Sequence, residues 1–211
     1  MTKSSQLDSF TRDKLPPLEE WPHLISLPSL EGYEPVNCSA QFLDRHLQQR
    51  GRSIALRAHA RHWTYDKLAE TVFRIARIMR DDFGIVSGNR VLIRGGNSPE
   101  VVAIWLAIQR IGAVAVTTMS LLRAGELLSI LTAAKPSMAF CEEDLAGELI
   151  LAIRRSESSI PILSFGAETG NLFDRISKTQ ADCPLFPALP EDISIIAFTS
   201  GTTGRPKATI H

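Results

Sequence analysis

From residue 90 onward the chain alternates between two kinds of apolar pattern, and this alternation constrains the fold more than any other feature. Short β-leaning runs fall at 90–94, 113–118, 137–141, 160–165 and 193–198. Between them, stretches 99–111, 124–134, 143–154 and 172–178 place apolar residues at helical spacing. Ser98 can cap the first of these helices and Pro99 suits its first turn. Strands separated by helix-length segments pair in parallel, because each parallel neighbour needs a crossover, and the crossovers cover the sheet. The expected class is α/β, a mostly parallel sheet flanked by helices with right-handed crossovers.

Upstream, 65–82 reads as the clearest helix, with Leu68, Val72, Ile75, Ala76 and Met79 on one face and Gly84 as a stop. Arg74, Arg77 and Arg80 recur every three residues there. They form either an anion-binding stripe or a solvated face, and charge runs on helices favour the second. A shorter helix is expected over 37–50, with Asn37 as cap, Phe42, Leu43 and Leu47 as its face and Gly51 at its end. Strands are expected at 53–58 and 63–64. Residues 1–36 carry Pro16, Pro17, Pro22, Pro28 and Pro35, which leave little room for helix or sheet. They read as an extended arm laid on the body through Leu15, Leu18, Trp21 and Leu24. Residues 181–190, with three prolines, read as a linker into the last strand.

Charge excludes some functions. Lys plus Arg and Asp plus Glu both number 23 among 211 residues, so nothing draws the chain to nucleic acid or an anionic membrane, and any anion site must be local. Cys38, Cys141 and Cys183 form no CxxC pair and read as free thiols of a reducing compartment. Residues 1–13 lack the apolar core of a signal peptide, and the apolar stretch 101–108 is too short to span a bilayer. A cytoplasmic protein is the expectation; the oligomeric state is left open.

After the apolar run 193–198 come Thr199, Ser200, Gly201, Thr202, Thr203, Gly204, Arg205, Pro206 and Lys207. Glycines let the backbone curl around an oxygen, hydroxyls and main-chain N–H groups donate to it, and Lys207 supplies a mobile charge. A polyphosphate is the ligand this composition suits. The run is not a Walker A loop, which needs GxxxxGK, then Ser or Thr, then a helix. Here Pro206 precedes the lysine, and 208–211 leans to β structure. The bland alternative is a glycine-rich hairpin turn.

An apolar strand followed by TSGTTG and x-P-K resembles the phosphate-loop signature of the adenylate-forming superfamily, which includes acyl-CoA synthetases, luciferases and peptide-synthetase adenylation domains. Three further runs resemble that family: Trp63 to Leu68, Gly88 to Ile93, and Ala107 to Val116, where Arg110 and Ile111 depart from its usual Lys-Ala. Arg94 to Pro99, Thr117 to Ala124 and Pro206 to His211 are similar to benzoate- and 2-aminobenzoate-CoA ligases. The resemblance implies an acid–thiol ligase with ATP, Mg2+ and coenzyme A, activating a small carboxylic acid through an acyl-adenylate. It implies that Thr199, Ser200, Gly201, Thr202, Thr203, Gly204 and Lys207 hold ATP phosphates. It further implies that 37–211 is an incomplete N-terminal AMP-binding domain, preceded by the arm 1–36 and without the C-terminal domain, so that adenylation by this stretch alone is not expected. No residue is assigned as catalytic and none as a metal ligand. The alternatives are a fatty- or other acyl-CoA synthetase, a non-catalytic truncated paralogue, and an unrelated doubly wound protein with an incidental loop.

Lesser candidates remain. Gly95-Gly96-Asn97 could cradle an anion, although a tight turn is the better reading. His59 and His62 lack carboxylate or cysteine partners nearby in sequence and read as a surface turn rather than a metal site. His211 is open between a neighbour of the acyl pocket and a plain strand residue. Trp105 reads as core.

Overall fold

The computed structural model describes residues 4–23, 37–59, 61–156, 158–166, 170–199 and 207–211. After two single-turn 3-10 helices, Arg12–Lys14 and Leu18–Glu20, the chain forms α1 (Arg45–Arg50), β1 (Ile54–Ala58), β2 (Arg61–Thr64) and α2 (Tyr65–Asp81). The alternating body follows: β3 (Arg90–Arg94), α3 (Pro99–Arg110), β4 (Val114–Thr118), α4 (Ala124–Ala134), β5 (Met138–Glu142), α5 (Ala146–Arg155), β6 (Ile162–Phe165) and α6 (Gly170–Lys178). It closes with β7 (Ile195–Thr199) and β8 (Lys207–Ile210).

Six strands form one sheet in the order β6-β5-β3-β4-β7-β8. All neighbours are parallel except β7 and β8. Side chains alternate between two cores, as the period of two in a strand demands. Val91, Ile93, Ala115, Met138 and Phe140 point to the core shared with α2 and α3. Leu92, Val114, Val116, Ala139 and Cys141 point to the core shared with α4 and α5. The mostly parallel α/β sheet read from the sequence is the architecture found.

The helix starts also follow the sequence. Ser98 Oγ accepts the Val101 N–H at 3.3 Å with Pro99 at the first turn, and Thr64 Oγ1 accepts the Lys67 N–H at 3.2 Å. Gly84 adopts φ +63° just beyond α2, a conformation other residues rarely take. The expected helix 143–154 divides into a 3-10 turn, Glu143–Leu145, and α5. Among the described residues no helix is long and apolar enough to cross a membrane.

Three expectations need correction. The helix entering α1 contains a π-helical turn, Ala40–Asp44, whose extra residue rotates the apolar face: Leu43 is fully buried while Phe42 is 57% exposed. The arm is not anchored through Leu18 and Trp21, which are exposed; Leu24 lies outside the described residues. Instead its residues 4–12 bind by polar contacts along the amino edge of the sheet, with Leu15 against the α4–α5 core. Gln6 exchanges bonds with Ile193, donating to its carbonyl at 2.7 Å and accepting its N–H at 3.1 Å. Asp8 pairs with Arg90, over which the Phe10 ring lies at 4.5 Å.

The arginine row of α2 is neither an anion stripe nor a freely solvated face. Arg74 pairs with Glu70 and donates to the Ile176 carbonyl, Arg77 pairs with Asp81 and Asp182, and Arg80 meets Asp81 and the Cys183 sulfur. The row fastens the segment around 176–183 to α2.

Candidate functional site

In an open parallel sheet, ligands bind beyond the carboxyl ends of strands, where neighbouring strands send the chain in opposite directions. Here β4 leads back across β3 to β5, whereas β7 leads outward to β8. The boundary between β4 and β7 is therefore such a crevice. Thr117 and Ala197 are register partners, so the carboxyl ends of β4 and β7 lie side by side.

The candidate phosphate loop begins at this boundary. Its flanks are an antiparallel pair in which Thr199 faces Lys207, Phe198 faces Ala208 and Ala197 faces Thr209. Thr199 Oγ1 donates to the Lys207 carbonyl at 3.4 Å, and Thr209 Oγ1 to the Ala197 carbonyl at 3.1 Å. Both Thr199 and Lys207 are exposed. The structure thus brings these two residues together at the mouth of a hairpin. Ser200, Gly201, Thr202, Thr203 and Gly204 lie outside the described residues. A strand, not a helix, follows Lys207. No helix dipole from that side reaches the site, unlike the P-loop arrangement.

Arg94, at the carboxyl end of β3, was not singled out from the sequence. It is 1% exposed. Its Nε donates to the Leu145 carbonyl at 3.1 Å, Nη1 to Met119 at 3.1 Å, and Nη2 to Ser120 at 3.1 Å and Leu122 at 2.8 Å. Burial lowers its pKa from the ordinary arginine value, with nearby Cys141 and Glu148 opposing. One guanidinium thus ties the loop after β4 to the turn entering α5. A second tie is Glu148, which accepts the Ala124 N–H at 2.8 Å. A charged residue at a strand end ordinarily reads as solvated, so only its company in space shows this role.

The lesser candidates also have places. Gly96 donates its N–H to Glu142 at 2.9 Å, so a carboxylate of the chain itself occupies that turn. His59 has φ +24° in the β1–β2 turn. Among the described residues no group of three or more His, Cys, Asp and Glu could hold a metal. His211 is exposed, with its main chain bonded to Ser194 and Ile195 at the amino end of β7, the edge opposite the loop. Trp105 is half-buried against the α2–α3 core. All three cysteines are free. A cavity of about 140 Å³ lies at the amino edge, where Gln6, Asn37, Gln109 and Ser194 bond to the chain around them.

Known proteins share this fold. The model of the family "AMP-binding enzyme" matches residues 43–211. An acetyl-coenzyme A synthetase of Syntrophus aciditrophicus (strain SB) is 32% identical over 209 residues, covering 83% of this chain and 31% of that protein. A 3-hydroxybenzoate–CoA ligase of Aromatoleum sp. (strain CIB) is 32% identical over 160 residues, covering 72% of this chain and 29% of its own. The crystal structure of an anthranilate CoA ligase in complex with anthranoyl-AMP superposes with a TM-score of 0.76 at 24% identity, over 84% of this chain and 34% of that one. The chain spans about a third of the length of these relatives. On the family match and the shared fold, the chain belongs to the AMP-binding enzyme family.

Proposed function

We propose that this chain supplies the triphosphate-binding edge of an ATP-dependent, AMP-forming acid–CoA ligase. The observation that carries the reading is the antiparallel Thr199–Lys207 pair at the carboxyl edge, beside a switch point of the parallel sheet, in a chain of this family. A carboxylate oxygen is a poor leaving group. Attack on the α-phosphate of ATP converts it into an acyl-adenylate and releases pyrophosphate, and the thiolate of coenzyme A then displaces AMP.

The residues Thr199, Ser200, Gly201, Thr202, Thr203, Gly204 and Lys207 hold the β- and γ-phosphates in this scheme. Hydroxyls and N–H groups aimed at the departing pyrophosphate stabilise charge that grows in the transition state. Loss of one preorganised donor of this kind costs about 3 kcal/mol. The described residues offer no carboxylate cluster for Mg2+, which would accompany the triphosphate; no step depends on where it sits. No general base is needed for the first half-reaction, and none is assigned.

The substrate is a small carboxylic acid, proposed as aromatic of the benzoate or 2-aminobenzoate type. The runs Arg94 to Pro99 and Thr117 to Ala124 and the hydroxybenzoate ligase relative support that choice. The acetyl-CoA synthetase relative supports the rival, a short-chain acid. Division into an arm, 1–36, and an incomplete nucleotide-binding domain, 37–211, belongs to the same proposal, as does a cytoplasmic location. Acid-dependent ATP–pyrophosphate exchange tests it, with benzoate, 2-aminobenzoate, acetate and octanoate offered to a protein of the relatives' length containing this chain. Selective exchange with the aromatic acids is expected. Selectivity for acetate or octanoate would retire the aromatic reading, and no exchange with any acid would retire the ligase reading. The 211-residue chain alone is expected to give none.

A further inference from the structure

Arg94 is a costly residue to bury. Its guanidinium is fully desolvated, and among the described residues it forms no ion pair with a carboxylate. Desolvating a charge without such a partner is unfavourable, and an apolar side chain of similar volume would fill the site more cheaply. What an apolar residue could not do is collect carbonyls. Three of the four carbonyls that Arg94 gathers belong to one short stretch, Met119, Ser120 and Leu122. Turning these oxygens inward leaves Met119 and Leu121 59% and 84% exposed. Nearby, Glu148 holds the Ala124 N–H, so the stretch is fixed at both ends.

The location of this stretch gives the expense a purpose. Arg94 is level with Thr118 in the β3–β4 register, and Thr117 is level with Ala197 across β4–β7. With strands about 4.8 Å apart, Arg94 lies two strands, about 10 Å, from the end of β7. The fixed stretch therefore begins at the carboxyl end of β4, one strand from the end of β7, where the candidate phosphate loop begins. Resting on the nucleotide reading above, we infer that Arg94 is a positioning residue for the ATP step: it fixes the main chain of 119–122 at the end of β4, next to the strand that leads into the candidate phosphate loop. Arg94 touches no nucleotide in this scheme; it acts through the backbone it holds.

Arg94→Met and Arg94→Lys, made in the longer protein that contains this chain, separate this role from simple stability. A lysine has three donors where the guanidinium makes four bonds, so Arg94→Lys is the milder variant. Two readouts are taken at a temperature where circular dichroism shows the variant folded. The first is pyrophosphate exchange. The KM for ATP should rise about tenfold or more in Arg94→Met and less in Arg94→Lys, with the KM for the acid within about twofold, as expected when one oriented segment is lost. The second is tryptic cleavage after Arg123, whose side chain is 79% exposed while its main chain adjoins the fixed stretch; the cut should quicken in the same order. Should Arg94→Met fail to fold, Arg94→Lys decides alone. Unchanged KM for ATP in a folded variant, or equal rises in both KM values, would overturn the inference while leaving the ligase reading intact. Absence of exchange in the unmodified protein would overturn both.

Discussion

Replacing Asp8 with alanine tests whether the arm is part of the fold or an appendage. The Asp8 carboxylate pairs with Arg90 and accepts the Asn89 amide at 2.7 Å and the Phe10 N–H at 2.9 Å. Arg90 is deeply placed, with a side chain 7% exposed, while that of Asp8 is 23% exposed. Removing one partner of a fully buried pair costs about 3–5 kcal/mol, and of an exposed one about 0–1. Arg90 keeps its bonds to Ala134, Gly88 and Lys135 carbonyls and its contact with the Phe10 ring. A loss of about 2 kcal/mol is therefore expected, and for a chain of this size a Tm lower by about 4–8 °C. The pH dependence has a definite sign. Burial alone would raise the Asp8 carboxyl, but the bonds from Phe10, Arg90 and Asn89 outweigh it and hold the pKa below the ordinary value. A depressed folded pKa gives stability that is present above the unfolded value, about 3.9, and is lost as pH falls through the folded one. Thermal unfolding followed by circular dichroism should show a constant Tm gap between wild type and Asp8→Ala from about pH 6 to 8, closing as pH falls below the unfolded value of about 3.9. A gap under about 1 °C at neutral pH, or one that persists in acid, would refute the reasoning.

Gly95→Ala should destabilise the chain by about 1–3 kcal/mol, seen as a lower Tm, because the new methyl meets Phe165 and Val101 side-chain carbons at 2.8 Å. Gly96→Ala, whose only close neighbour among the described residues is the Glu142 carboxylate at 3.6 Å, should leave Tm unchanged. Arg110→Met removes bonds to both Asp44 oxygens and to the Cys183 carbonyl, and chemical denaturation should show a loss of about 3 kcal/mol. Cys141, fully buried and with its thiol pushed up to about 11 mainly by burial, should resist a thiol reagent near pH 8 in the folded chain, while half-buried Cys38 reacts first.

What the sequence made legible were features whose cause is local. Ser98 and Pro99 announce α3 because capping and a fixed φ act within one turn. The strands β3, β4 and β5 are visible because both faces are covered, so Val91 to Ile93, Val114 to Val116 and Met138 to Cys141 are all apolar. The hairpin flanking the glycine-rich loop was readable from the β-leaning 208–211, and β8 occupies that stretch. Features built from distant partners stayed hidden. The carbonyls that Arg94 gathers lie 25 to 51 residues away, and no spacing rule reports them. The arm showed apolar residues that suggested anchors, yet much of its hold comes from polar side chains: Ser4 and Gln6 reach residues 192 and 193, more than 180 positions on, and Asp8 reaches Arg90. Phe42 was misplaced because a π-turn shifts helical phase by one residue without any mark in the sequence.

As proposed, the edge framed by Thr199 and Lys207 holds the triphosphate while pyrophosphate departs. Acid-dependent ATP–pyrophosphate exchange, compared between the longer protein and its Lys207→Ala variant, tests it most directly. Exchange by the variant should fall by about a hundredfold or more, with the same unfolding temperature. Equal exchange by the two proteins would contradict it.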